Sequence, residues 1–166
     1  MAGNLKTVSI NSEYNGFHEI TKQLNDIVAE SGVQEGLCVL NCNHTTAGIT
    51  VNSFWDPRGH EDLMNDLDRI IPSRSDFHHQ FDTPTDAAGH VKTSIIGSTL
   101  TLIVHNGKLL LGSSQGVFFA EFDGPRKRKV YVKAAFLASA VEICRVEGQR
   151  LMYLEPGDAE GHHDVG

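Results

Sequence analysis

His44, Thr45 and Thr46 stand together in the stretch NCNHTTAGITVNSFWDP, residues 41–57, between two segments of strand character. An imidazole titrates near neutral pH and is a common metal ligand. Neighbouring hydroxyls and open backbone N–H groups suit an oxyanion. Asp56 follows the second segment directly. Two further histidines, His79 and His90, lie on other segments, so spacing alone leaves the three imidazoles unassociated, as surface or capping residues or as one site. Asp62 comes six residues after Asp56, nearly two helical turns on, and need not face the same way. Arg126 opens RKRK, the one concentrated run of positive charge, and a guanidinium can grip phosphate bidentately. Lys92 is the second candidate cation, and Ser94, Ser113, Ser114, Gln115 and Gly116 offer further polar contacts. Trp55 could stack on a heteroaromatic ring or pack into a core or interface.

These residues need elements to place them. Alternation of apolar and polar residues predicts strands over 5–10, 36–42, 49–54 and 115–122, with a returning strand over 129–133. Asn106-Gly107 between 100–105 and 108–111 marks a hairpin with a type I′ turn. Phe17, Ile20, Leu24, Ile27 and Val28 give a helical stripe over 17–29, stopped by Gly32. Asp56 caps a second helix that Pro57 opens, with Leu63, Leu67, Ile70 and Ile71 as its buried face. Residues 73–89 read as a polar loop, and 90–96 is open between helix and strand. A further helix is expected over 134–146, within an extension to 154, then a frayed tail. The expectation is a single α+β domain spanning 1–166, with a bent, largely antiparallel sheet and two or three helices besides that C-terminal one.

The totals narrow the classes. A formal charge of -7 over 166 residues argues against broad nucleic-acid or anionic-membrane binding. No apolar run is long enough to cross a membrane, and the first residues lack a basic-then-apolar leader, so the expected location is cytoplasmic. Three cysteines, an odd number, argue against a disulfide scaffold. Cys38 and Cys42 share one strand face with Leu40 and read as buried apolar residues rather than half a metal site.

Several segments in order resemble the YjbQ family, also called secondary thiamine-phosphate synthase: NGFHEIT, NHTTAGITVN, Asp56-Pro57 with Asp62, DAAGHVKTSIIG, LTLIVHNGKLLLG and QGVFFAEFDGPRKR. The match runs from about residue 5 to about residue 133. The resemblance implies a small α+β fold with a strongly bent sheet, commonly a homotrimer. It also implies a polar pocket that receives His44, Asp56, Asp62, His79, His90 and Arg126 near a subunit boundary. The implied activity joins a pyrimidine diphosphate to a thiazole phosphate and releases pyrophosphate. In that reading His44, His90, Asp56 and Asp62 do the chemistry. Thr45, Thr46, Lys92, Ser94, Gln115 and Arg126 hold phosphate, and His44, His79 and His90 bind a divalent ion, zinc or magnesium. Three imidazoles leave one open position on zinc, which Asp56 or water could fill. Two positions depart from the family pattern: Ser53 where Glu is usual, and Ser113-Ser114 where Thr-Trp is usual. The alternatives are a non-enzymatic trimer that binds a metal or phosphorylated ligand, and a metal-dependent hydrolase with Asp56 as base.

Overall fold

The computed structural model describes residues 4–79 and 81–136. The elements in chain order are β1 (Lys6–Ser12), β2 (Phe17–Glu19), α1 (Thr21–Ser31), β3 (Gly36–Cys42), β4 (Ala47–Ser53), α2 (Pro57–Ile70), α3 (Pro84–Ile96), β5 (Thr99–His105), β6 (Lys108–Leu109), β7 (Gln115–Glu121) and β8 (Arg126–Phe136). They form two antiparallel sheets, ordered β1-β8-β3-β5-β6 and β2-β7-β4. This is the expected α+β fold, with three helices among the described residues.

The sheets are sewn together by the turn after α3. The Gly97 carbonyl accepts from the Ile49 N–H of β4 at 2.9 Å, and the Ser98 carbonyl from the Cys42 N–H of β3 at 2.8 Å. Ile20, at the N-cap of α1, and Leu24 and Val28 of the helix enter the main core with Cys38, Leu40, Leu102, Val117, Phe119, Val130 and Val132. Helix α2 covers the other face of β7, setting Met64 and Leu67 against Ala120 and Phe122. Strand β7 is therefore sealed on both faces from Gly116 onward. The buried thiols Cys38 and Cys42 are poor nucleophiles: burial raises both pKa values, that of Cys38 to about 11.

Local signals account for many boundaries. Gly32 adopts φ 71° and stops α1. Asp56 accepts from the Arg58 N–H at the start of α2, and Pro57 opens the helix. Asn106 and Gly107, at φ 52° and 72°, make the hairpin turn. Four expectations are corrected. Phe17–Glu19 is strand rather than helix, because Phe17, His18 and Glu19 pair with Ala120, Phe119 and Phe118. In α2 Met64 is buried and Ile70 is 73% exposed. Residues 84–96, read as loop end and ambiguous segment, are one helix, capped by Thr83 on the Asp86 N–H. Residues 134–136 continue β8, with Ala134 opposite Cys38, so the predicted helix does not start there. The rest of that extension, and Cys144, lie outside the described residues. No described helix is long and apolar enough to cross a membrane.

Gly48 marks where α3 presses on β4. A Cβ there would lie 2.8 Å from Ile96 Cγ2 and 2.9 Å from the Gly97 carbonyl. Gly48→Ala is expected to cost about 1–3 kcal/mol, the usual range for overpacking. Urea unfolding checks it, and an unchanged midpoint would contradict the close approach.

Candidate functional site

The NHTTAG turn between β3 and β4 is gripped at three successive residues. The Lys129 N–H of β8 donates to His44 Nε2 at 3.0 Å. The Thr45 carbonyl faces His90 Nδ1 of α3 at 3.0 Å. Thr46 Oγ1 accepts from Arg128 Nη2 at 2.9 Å. Beneath the turn, Arg128 is clamped to Glu121: Nε and Nη2 each lie 2.6 Å from a carboxylate oxygen, and Ser12 Oγ donates to the same carboxylate at 2.6 Å. Both charged residues are buried. This clamp ties β8 of one sheet to β7 of the other directly below His44.

His44 and His90 line one groove of about 400 Å³, with Thr45, Thr93, Ser94 and Ser98. Gly89 permits this placement, since a Cβ there would meet Thr46 Cβ at 3.1 Å. Burial first, and the Arg128 charge second, push the His44 pKa below its ordinary 6.5. The ring is therefore neutral at pH 7, with the Lys129 N–H on Nε2 and its proton on Nδ1. The unfolded chain, with the ordinary pKa, binds the extra proton more readily, so this ring's contribution to stability is lost as pH falls below about 6.5. Wild type is expected to lose more stability between pH 7.5 and 5.5 than His44→Gln in urea titrations. Equal losses would contradict the assignment.

Beside this groove His79, Asp86 and His90 converge, their donor atoms all within 4.8 Å of one another. Asp86 Oδ2 lies 3.2 Å from His90 Nε2 and 3.3 Å from His79 Nε2. Asp86 and His90 are four residues apart on α3 and so share a face. With His90 Nδ1–H on the Thr45 carbonyl, Nε2 presents a lone pair to a carboxylate oxygen. Two acceptors meeting at that distance need positive charge between them, a proton or a metal ion. The spacing also suits a metal: donors bonded to one tetrahedral zinc at about 2.1 Å stand about 3.4 Å apart. Two imidazoles and a carboxylate form a ligand set that zinc accepts with a position left open. The Thr45 carbonyl supplies the outer contact that orients a ligating histidine.

The other predicted residues are placed elsewhere. His44 Nε2 is taken by Lys129, and Asp86 stands as third donor where the sequence reading put His44. Lys92 is 1% exposed and its ammonium pairs with Asp68 of α2, so it fastens helix to helix. Arg126 is held by Asp123, with Nη2 2.7 Å from Oδ2. Gln115 folds back to accept from the Gly112 N–H at 2.8 Å. Asp56 caps α2 and binds the Arg58 guanidinium, and Asp62 is exposed on the same helix. Ser94 lines the groove and donates to the His90 carbonyl at 2.9 Å. Trp55 is 69% exposed against Phe54. A larger cleft of about 460 Å³, between β2 and α2, holds none of the predicted site residues. Sequence reasoning missed Asp86 and Arg128. The i,i+4 spacing of Asp86 to His90 was a usable signal once 84–96 is seen as helix.

The family model described as "UPF0047 protein YjbQ-like" matches residues 6–136. The chain belongs to the YjbQ-like UPF0047 family. It is 45% identical over 115 residues to the UPF0047 protein MJ1081 of Methanocaldococcus jannaschii, covering 69% of this chain and 81% of that one. It is 37% identical over 132 residues to YugU of Bacillus subtilis, covering 78% and 97%. The crystal structure of a YjbQ/UPF0047 family protein from Clostridium acetobutylicum superposes with a TM-score of 0.73 at 42% identity, over 78% of this chain and 98% of that one. A YjbQ-like protein from Sulfolobus solfataricus gives 0.76 at 25% identity, over 80% and 96%. In this chain the YjbQ-like fold carries the groove and the histidine–aspartate cluster.

Proposed function

We propose that this YjbQ-like protein is a metal-dependent enzyme acting on a phosphorylated small molecule, of the thiamine-phosphate synthase type. His79, Asp86 and His90 would hold a divalent ion of the zinc class. The observation that supports this best is the meeting of His90 Nε2 with Asp86 Oδ2 while His90 Nδ1 is held by the Thr45 carbonyl. Among the described residues, no lysine or arginine lines the groove. Lys92 and Arg126, the cations expected to hold phosphate, are already paired with Asp68 and Asp123. A bound divalent ion would supply the missing countercharge and stabilise a departing pyrophosphate. The chain's own part is to orient the substrate: Thr45, Ser94 and Ser98 offer polar contacts along the groove, and neutral His44 offers an Nδ1–H donor. The transfer requires no protein nucleophile, which agrees with the inert buried thiols.

The chain is further read as a homotrimer. Val39 and Ile103, on the sheet face away from the core, are 42% and 54% exposed, which supports an oligomer. A single-chain mass in sedimentation equilibrium would refute it. A binding protein without turnover is the second reading. It is favoured by Ser53 and Ser114, which stand together at the β4–β7 end, with Ser53 opposite Gln115, where the family pattern has Glu and Trp. The hydrolase reading needs a base at the ion, and the Asp56 carboxylate is occupied by Arg58. The test is product formation from pyrimidine diphosphate and thiazole phosphate, with zinc and after chelation. Zinc-dependent product supports the enzyme; tight ligand binding with no product in either condition overturns it in favour of the binding protein.

A further inference from the structure

The His79–Asp86–His90 cluster stands between two cavities. His90 lines the groove, and His79 lines a second, smaller cavity of about 190 Å³ with Arg74, Phe77, Asp82 and Thr83. That volume suits one phosphate or diphosphate group. Among the described residues, Arg74 is the one arginine or lysine on its wall. The guanidinium carbon lies 4.4 Å over the Phe77 ring, and Nη1 is 3.1 Å from Asp76 Oδ2. Stacking on the Phe77 ring orients the planar fork, and a guanidinium so oriented can meet an oxyanion through two N–H groups.

We propose that this cavity is an oxyanion subsite in which Arg74 grips the phosphate or diphosphate end of a ligand whose other end lies in the groove. The inference rests on the metal reading of the neighbouring cluster. Asp82 on the cavity wall and Asp76, paired with Arg74, together outweigh the single guanidinium, so without a metal the cavity repels an anion. Arg126 feels the charge of Asp82 but is paired with Asp123. A divalent ion at His79 would offset those carboxylates and Asp86, and would offer a phosphate oxygen a direct ligand position beside Arg74. The subsite therefore binds anions only after the metal, and the ligand spans both sides of the ion. Among the described residues, the groove lining offers a phosphate no guanidinium beside that metal.

The experiment is calorimetric titration of the full chain with inorganic pyrophosphate, once with stoichiometric zinc and no free metal, and once after chelation. Zinc content is measured separately on each sample. The expected result is at least tenfold tighter pyrophosphate binding with zinc. Arg74→Gln should lose about tenfold at unchanged zinc content, Arg74→Lys should recover part of the loss, and Asp82→Asn should bind more tightly than wild type. A misfolded variant cannot produce that gain. Zinc-loaded Arg74→Gln binding as well as wild type overturns the subsite and leaves the metal reading standing. Absence of zinc uptake overturns both.

Discussion

Glu121→Gln should lose about 3–5 kcal/mol of folding stability, the cost of leaving one member of a buried ion pair unmatched. Arg128 is 7% exposed and Glu121 is fully buried, so neither charge can turn to water. The guanidinium meets both carboxylate oxygens at 2.6 Å, and Ser12 and the Asp123 N–H donate to the same carboxylate. A glutamine there keeps one acceptor, removes the charge and turns two donors toward donors. Urea unfolding should show a lower midpoint with an unchanged slope. A loss below about 1 kcal/mol would contradict the clamp. Replacing both partners by methionine should recover much of the stability, because the desolvation cost of the pair disappears with it. Thr46 still loses its Arg128 donor in that variant, so the turn bearing His44 is expected to loosen. Acid titrates the same clamp. Burial raises the Glu121 pKa, but its bonds to Arg128, Ser12 and Asp123 outweigh that and hold it below the ordinary 4.5. A carboxylate with a lowered folded pKa contributes stability above its unfolded value, and the contribution is lost as pH falls below about 4.5.

His90→Ala should weaken zinc binding by at least about 100-fold, since even groups one bond beyond a metal's ligands are worth about 10–100-fold. His90 is the hinge of the arrangement: Nε2 faces Asp86 and Nδ1 is fixed by the Thr45 carbonyl. Asp86→Asn should lose a comparable amount, because it removes the negative charge that both imidazoles share at 3.2 and 3.3 Å. His44→Ala should change zinc affinity only a few-fold, since its Nε2 is committed to the Lys129 N–H and it lies outside the donor cluster. Competition titrations against a chromophoric chelator measure all three. Equal losses in His44→Ala and His90→Ala would put His44 among the ligands.

What could be read in advance follows from how strongly each segment's pattern exceeds its alternatives. Residues 36–42 alternate cleanly, with Cys38, Leu40 and Cys42 inward, and both strand bounds follow. Asn106-Gly107 and Asp56-Pro57 have local backbone preferences that no tertiary contact overrode. Helix α3 was hidden because its buried face is Ala87, Ala88, Gly89, Lys92 and Thr93, small or polar residues that give no apolar stripe. Its charged member is buried only because Asp68 meets it from another helix, a pairing 24 residues away in sequence. Missing α3 concealed Asp86, and with it the third donor of the cluster. Phe17 and Ile20 sit at helical spacing, yet the β7 pairing claims Phe17 for a strand. Arg126 and Arg128 share the strand face of Val130 and Val132, so alternation favours neither; Arg128 is the buried one because Glu121 of β7 meets it, while Arg126 pairs with Asp123 at the exposed start of β8.

The most direct test of the central claim is anomalous diffraction at the zinc absorption edge from crystals of the untagged protein grown with one equivalent of zinc. One strong peak is expected, bonded to His79 Nε2, an Asp86 carboxylate oxygen and His90 Nε2 at about 2.0–2.2 Å. A peak on His44 instead, or no peak at the cluster, would contradict it.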